Sequence, residues 1–173
     1  MELKRLEPDD TRPQFSCGDD DLNEFFHLDS VQGGKELLSV TYSLIDNTEN
    51  TVAYFSLSND SIKKEDCPKS AFRRLVDALP HTKRYKSMPA VKIGRLGIAE
   101  NLQGSGYGTK VLDFLKVWFT QGNKTGCRFL VVDAYNKAEV KAFYAKNGFR
   151  YLTSLDENEE ARIMYYDLIK FRE

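Results

Sequence analysis

The stretch AVKIGRLGIAENLQGSGYG, residues 90–108, decides how this chain is read. A run rich in β-branched residues, 90–99, leads into Gln103-Gly104-Ser105-Gly106-Tyr107-Gly108. Glycine loses more conformational freedom on folding than any other residue, so three glycines in this short turn require a physical cause. Beyond the turn, Val111, Leu112, Leu115, Trp118 and Phe119 recur at helical spacing. The order is strand, glycine turn, helix. Such a turn suits phosphate, because its N–H groups point outward and the helix dipole favours an anion. Two common phosphate loops do not fit. A Walker A loop ends in Gly-Lys-Ser/Thr, whereas here Thr109 precedes Lys110 and Val111 follows it. A dinucleotide fingerprint needs a third glycine where Thr109 stands.

Working outward, Gly122 and Gly126 end the helix and CRFLVVDA, 127–134, is a continuous apolar strand of the buried kind. KAEVKAFYAKNGF, 137–149, predicts a second helix closed by Asn147-Gly148. FRYLTSL, 149–155, and ARIMYYDLI, 161–169, read as β-runs around the acidic turn DENEE. Towards the N-terminus, Leu3 to Glu7 suits a short strand. Cys17-Gly18-Asp19-Asp20-Asp21 suits a turn and a helix start, with Leu22, Phe25 and Phe26 as the apolar face. LLSVTYSLID, 37–46, and TVAYFSLSN, 51–59, form a hairpin about Asn47-Thr48-Glu49-Asn50. Phe72, Leu75, Val76 and Leu79 mark a short helix ending at Pro80, and residues 80–89, with two prolines, are expected to be an exposed loop. Gly33-Gly34 interrupts the second helix with no cause visible in the sequence.

Composition narrows the function classes. At 173 residues, 41% hydrophobic and 29% charged, the chain suits one domain, 1–173, with a real core, and neither disorder nor a fibrous repeat. It has no apolar stretch of membrane-spanning length, and MELKRLEPDD lacks the apolar core of a signal peptide, so a cytoplasmic protein with no membrane partner is expected. Cys17, Cys67 and Cys127 are odd in number and show no CxxC spacing, and only His27 and His81 join them; neither a disulfide framework nor a metal site is expected. The net charge of −1 hides an uneven distribution. Residues 1–30 hold three Lys/Arg against nine Asp/Glu, while residues 63–95 hold ten against three. A polyanion would meet the middle of the chain, although a solvated loop and helix face explain such a run equally well.

The turn has the form Gln/Arg-x-x-Gly-x-Gly/Ala and resembles the acyl-CoA pyrophosphate loop of the GCN5-related N-acetyltransferase (GNAT) family; AFYAKNGF resembles that family's closing Phe-Tyr-x-x-x-Gly-Phe motif. The motifs cover residues 90–151, and the rest agrees in element order. The resemblance implies an α+β (mixed α/β) acyl-CoA N-acyltransferase fold. Its twisted mixed sheet has six or seven strands flanked by about four helices and splays open between the strands at 90–99 and 127–134. It implies acetyl-CoA as donor and no metal. Leu96, Gly97 and Ile98 would pair with the pantetheine arm as a strand edge pairs with a strand. Gln103, Gly104, Ser105, Gly106, Tyr107, Gly108 and Thr109 would wrap the pyrophosphate. Asn136 resembles the polar residue after the fifth strand that contacts the cofactor, a helix N-cap being its other reading.

The resemblance puts Tyr144 where the acid that protonates the leaving thiolate stands, and a backbone N–H near Ile98 where the thioester carbonyl is polarised; packing beside Phe143 is the alternative for Tyr144. No general base is evident, Glu100 and Asp133 being candidates only through water. An α-amine of pKa about 7.7 to 8.0 is partly neutral at cellular pH, whereas a lysine near about 10.4 needs help, which favours an α-amine acceptor.

FSCGDDDLNEFF, residues 15–26, resembles a stretch of the GNAT subgroup that includes toxins acetylating the α-amine of aminoacyl-tRNA, which pair with a small DNA-binding antitoxin. In that case Lys83, Arg84 and Lys86, with Lys92 and Arg95, would supply phosphate contacts. The expectation is an N-acetyltransferase whose amine acceptor is a small molecule, a peptide or an aminoacyl-tRNA. A non-catalytic acyl-CoA sensor is the alternative of another class, and the presence of Tyr144 argues against it. ARIMYYDLI offers an edge for homodimer pairing.

Overall fold

Alternation of β-branched and polar residues in the first half of the chain, and 3.6-residue apolar spacing around the glycine turn, produce the elements expected of them. The computed structural model describes residues 1–77, 79–81, 85–122 and 125–172. Along the chain these are β1 (Glu2–Leu6), α1 (Asp20–Glu24), a π-helical turn (Phe25–Asp29), α2 (Ser30–Lys35), β2 (Val40–Ile45), β3 (Thr51–Lys63) and α3 (Lys69–Val76). There follow β4 (Ser87–Ile98), a 3-10 turn (Glu100–Leu102), α4 (Tyr107–Thr120), β5 (Phe129–Tyr135), α5 (Ala138–Lys146), β6 (Arg150–Tyr151), β7 (Ala161–Asp167) and α6 (Ile169–Arg172). The strands make one seven-stranded mixed sheet in the order β1-β2-β3-β4-β5-β7-β6.

Two compact units divide the chain, Met1–Ser58 with Ile93–Phe114 and Asn59–Lys92 with Leu115–Glu173. Strands β3 and β4 run through both. In the first unit β1, β2 and the start of β3 pair antiparallel, Leu3 opposite Leu44 and Tyr42 opposite Phe55. Its core contains Leu6, Phe15, Cys17, Phe26 and Tyr54. Every residue from Thr51 to Leu57 is buried, as befits a central strand covered on both faces. The turn between β2 and β3 is closed by Asp46, whose carboxylate accepts hydrogen bonds from the Thr48 hydroxyl (2.7 Å) and from the N–H groups of Thr48 (2.8 Å) and Asn50 (3.0 Å), and these bonds hold its pKa below the usual carboxylate value.

The second unit pairs β5 antiparallel with β7, Val132 opposite Met164, and places the short β6 at the far edge. Its core includes Ile62, Phe72, Leu75, Met88, Phe129 and Val131. Here the structure corrects the loop expected over 80–89, because β4 already begins at Ser87. Met88 and Ala90 are buried in this core, and the Lys64 N–H donates to the Lys86 carbonyl at 2.8 Å. Pro89 lacks a donor yet is tolerated at this exposed position, where its carbonyl accepts from the Arg128 N–H at 2.9 Å. The FRYLTSL run contributes only Arg150 and Tyr151 to the sheet. Beyond it, the Asp156 carboxylate takes the loop in hand, accepting from Arg162 Nε (2.8 Å) and from the Ile163 N–H (2.6 Å).

Packing also accounts for Gly33-Gly34. A Cβ on Gly34 would lie 3.1 Å from Pro8 Cγ and one on Gly33 would lie 3.0 Å from Ser39 Oγ, so a side chain at either position would crowd α2 against the N-terminal segment or its own exit turn.

Candidate active site

Within the first unit β4 is the last strand. The Ala99 N–H donates to the Val52 carbonyl at 2.9 Å. Successive N–H groups of a strand alternate in direction, so those of Ile98 and Leu96 project to the side away from β3. Leu96 and Ile98 are half-buried, while Gly97 is buried. A Cβ on Gly97 would stand 2.5 Å from Tyr54 Cε1 and 3.4 Å from Phe15 Cε1. The space that Gly97 leaves is therefore filled by aromatic rings of the core.

The turn that follows is exposed from Gln103 to Gly106, with Tyr107, Gly108 and Thr109 half-buried. Gly104 (φ 74°) and Gly106 (φ 87°) lie in the left-handed region, and a Cβ on either would meet nothing within 4 Å. Their glycine is required by backbone conformation and not by room. Gly108 is in α4 and is not at positive φ. The Ser105 hydroxyl donates to the Leu102 carbonyl, and Lys110 Nζ sits 4.9 Å from the centre of the Tyr107 ring. Since α4 starts at Tyr107, its first N–H groups have no partner inside the helix and face the turn.

Tyr144 belongs to the second unit, on α5. Its ring is 5.1 Å from that of Phe143 and 5.3 Å from that of Phe149, and the residue is only 7% exposed. Among the described residues its hydroxyl has no hydrogen-bonding partner. Burial alone raises its pKa well above the ordinary phenol value. The motif around it closes the helix. The Asn147 side chain donates to the Phe143 carbonyl (2.8 Å), the Phe149 N–H donates to the Tyr144 carbonyl (3.0 Å), and Gly148 takes φ 85°. The result is a phenol held rigidly in an apolar setting.

Residues 73–151 match the family model of the acetyltransferase (GNAT) domain. That stretch carries the GNAT acetyltransferase signature. Solved structures resemble it from end to end. A tyrosine-to-phenylalanine variant of KacT matches 99% of this chain and 96% of its own at 21% identity, with a TM-score of 0.77. AtaT complexed with acetyl-methionyl-tRNAfMet matches 99% of this chain and 96% of its own at 24% identity, TM-score 0.77. AtaTR bound with AcCoA matches 99% and 95% at 25% identity, TM-score 0.73.

Other expected site residues are placed less simply. The Asn136 amide donates to the carbonyls of Glu157 and Glu159, each at 2.9 Å, and its oxygen accepts from Lys141 Nζ at 2.6 Å. It is not the helix cap, a position held by Lys137, but the tie that fastens the acidic turn. Asp133, one of the two candidate bases, forms an ion pair with Lys92. Glu100 lies in the 3-10 turn with its carboxyl carbon 3.4 Å from where a Gly18 Cβ would stand. Lys83 and Arg84 fall outside the described residues, and Lys86 is exposed. Arg95 is engaged in the first unit, its guanidinium 5.3 Å from the Phe25 ring and 3.6 Å from Asp21. Among the described residues no group of three or more His, Cys, Asp and Glu could hold a metal ion, and no helix is long and apolar enough to cross a membrane.

In FSCGDDDLNEFF the expected helix start is present, and what sequence reasoning missed is the packing of its aromatic residues. Asp19 caps α1 by accepting from the Leu22 N–H at 3.2 Å, and Phe15 and Phe26 pack with Tyr54 beneath Gly97. The Tyr54 hydroxyl donates to the Leu22 carbonyl at 2.6 Å. Gln103 turns its amide away from the turn's open side and donates to the carbonyls of Cys17 (2.7 Å) and Ile98 (3.1 Å). Both residues stood out in the sequence; their 86-residue separation concealed the contact.

Proposed function

We propose that this chain transfers the acetyl group of acetyl-CoA to the α-amine of an aminoacyl-tRNA. The observation that carries the reading is the end-to-end likeness to AtaT, which has been solved with acetyl-methionyl-tRNAfMet. The stretch at 15–26 and the absence of an evident base point the same way, because an α-amine needs the least help to become neutral.

In this reading the turn at 103–108 and the first N–H groups of α4 hold the pyrophosphate, with the backbone and helix dipole supplying the attraction that an arginine at position 103 would otherwise supplement. The outward N–H and C=O groups of Leu96 take the pantetheine amides as an added strand. The Ile98 N–H polarises the thioester carbonyl. The neutral amine attacks the carbonyl carbon, the C–N bond forms, the C–S bond breaks, and the amine proton leaves to water. Tyr144 gives its hydroxyl proton to the departing sulfur and regains one from solvent. Proton transfer from a phenol to a free thiolate is uphill, since an ordinary thiol has a pKa of about 8.5 and an ordinary phenol about 10. Tyr144 therefore acts while the C–S bond is breaking, and burial keeps its proton in place until then. AtaT has been solved with the antitoxin AtaR, and a small antitoxin is the proposed protein partner here too.

The test is release of free CoA from acetyl-CoA by the purified protein, with charged tRNAs in one set and free amines and peptides in another. Turnover with charged tRNA that is lost in Tyr144→Phe is the expected result. Turnover with amines or peptides alone would overturn the acceptor; CoA binding with no turnover in either set would leave the sensor reading instead.

A further inference from the structure

We propose that Asn23 is a positioning residue for the donor loop: its side chain fixes the Ser16–Gly18 turn, whose backbone carbonyls in turn hold the entry to the glycine turn. The chain of contacts is continuous and lies within one unit. Asn23 Oδ1 accepts from the Cys17 N–H at 2.9 Å and from the Cys17 thiol at 3.3 Å, while Nδ2 donates to the Ser16 hydroxyl at 3.4 Å. The two carbonyls so fixed are each used. The Ser16 carbonyl accepts from the Glu100 N–H at 3.1 Å, and the Cys17 carbonyl accepts from Gln103 Nε2 at 2.7 Å. Glu100 opens the 3-10 turn and Gln103 is the residue before Gly104, so both ends of the approach to the turn are tied to one short segment.

Geometry makes the tie demanding. Gly18 takes φ 75°, a left-handed conformation that a residue with a side chain adopts only with strain, and its Cα lies against the Glu100 side chain. Cys17 is buried, 6% exposed, and its N–H has Asn23 as its partner. With Asn23 gone that buried donor is unsatisfied, and the turn must shift to find water. A Cβ on Gly104 or Gly106 would meet nothing within 4 Å, so no neighbouring side chain packs against these two positions to hold them. Besides the Ser105 bond to the Leu102 carbonyl, the contacts at the entry to the turn are what tie it to the rest of the unit.

The inference rests on the reading that residues 103–108 hold the pyrophosphate of CoA. Its test compares acetyl-CoA with acetyl-pantetheine, a donor that carries the thioester and both amides but no pyrophosphate, using the full chain with a saturating acceptor. Asn23→Ala is expected to raise KM for acetyl-CoA, and Kd for CoA, about tenfold. Its kcat at saturating acetyl-CoA and its kcat/KM with acetyl-pantetheine are expected to stay at the wild-type values. Asn23→Asp, which keeps the accepting oxygen for Cys17, is expected to restore most of the loss. A parallel fall with both donors, or an unchanged KM for acetyl-CoA, would overturn the proposal. Should Asn23→Ala not fold, Asn23→Ser, which shortens the side chain and removes its amide, carries the comparison, with the same two outcomes. Failure of the wild-type protein to bind CoA would overturn the loop reading and this inference with it, whereas equal CoA affinity of wild type and Asn23→Ala would overturn the inference alone.

Discussion

The glycine turn and the Tyr144 helix are made by opposite means. The turn is exposed, holds two glycines at positive φ, and is secured by side-chain bonds to backbone carbonyls at its entry. Tyr144 is buried among Phe143 and Phe149 and presents one polar atom with no partner among the described residues. A site that grips a polyanion needs many N–H groups, each contributing a little and each adjustable. A site that moves one proton needs a single group that cannot turn away. Damage to the turn should therefore appear as graded loss of donor affinity, and damage at Tyr144 as loss of rate.

The largest effect is expected from Tyr144→Phe. The substitution removes one oxygen from a residue whose ring packing is unaffected, so the melting temperature should stay close to the wild-type value. Loss of an acid typically costs about 10²- to 10⁴-fold in rate. The expectation is a fall of that order in kcat with KM for acetyl-CoA within a factor of about two, read from initial rates. A KM effect as large as the kcat effect would erase the distinction between the two regions.

Next comes Gly97→Ala. The added Cβ meets Tyr54 Cε1 at 2.5 Å, and Tyr54 cannot retreat because Phe15 and Phe26 pack on it and its hydroxyl is bonded to the Leu22 carbonyl. Overpacking of a filled core costs about 1–3 kcal/mol or more, so the melting temperature should fall by several degrees. Gly106→Ala is the contrasting case. Its Cβ would enter open space, but a left-handed backbone costs a residue with a side chain about 1–2 kcal/mol. A smaller drop in melting temperature is expected than for Gly97→Ala, together with a several-fold rise in KM for acetyl-CoA. If Gly106→Ala destabilised more than Gly97→Ala, crowding at the core would not be the stricter demand.

The two regions also differ in how far the sequence disclosed them. The strand, glycine turn and helix from residue 90 onward were legible because local physics alone determines them: β-branched residues in one run, glycines that no strand or helix interior would keep, and apolar spacing of 3.6. The helix closed by Asn147-Gly148 was legible for the same reason. What could not be read depends on residues far apart in the chain. Gly97 answers to Tyr54, Gly34 to Pro8, and Gln103 to Cys17. Pro89 was misjudged because its exposure, which makes a proline acceptable in a strand, is settled by the burial of Met88 and Ala90 on the other face. Asn136 followed an apolar strand and preceded a helix, which suggested a cap or a cofactor contact. The structure uses its amide to tie down a loop more than twenty residues later.

Alkaline pH offers the finest test of the contrast. An ordinary tyrosine acid with a pKa of about 10 would be half deprotonated there, and kcat would fall accordingly. Burial raises the Tyr144 pKa above that value, so its proton is retained and kcat should stay level through pH 10. The sign for stability follows from the same shift. Above the unfolded pKa of about 10 the unfolded chain releases this proton while the folded chain keeps it, so the folded state binds more protons and stability declines as pH rises further. Below that pKa both states are protonated and the group contributes no slope. The glycine turn behaves differently, since backbone N–H groups do not titrate in this range and give KM for acetyl-CoA no such dependence. A pH profile of kcat from 7 to 10.5, corrected for the folded fraction, separates the two. A fall in kcat centred below pH 10 with KM unchanged would mean that Tyr144 is either less buried in the working enzyme or not the acid.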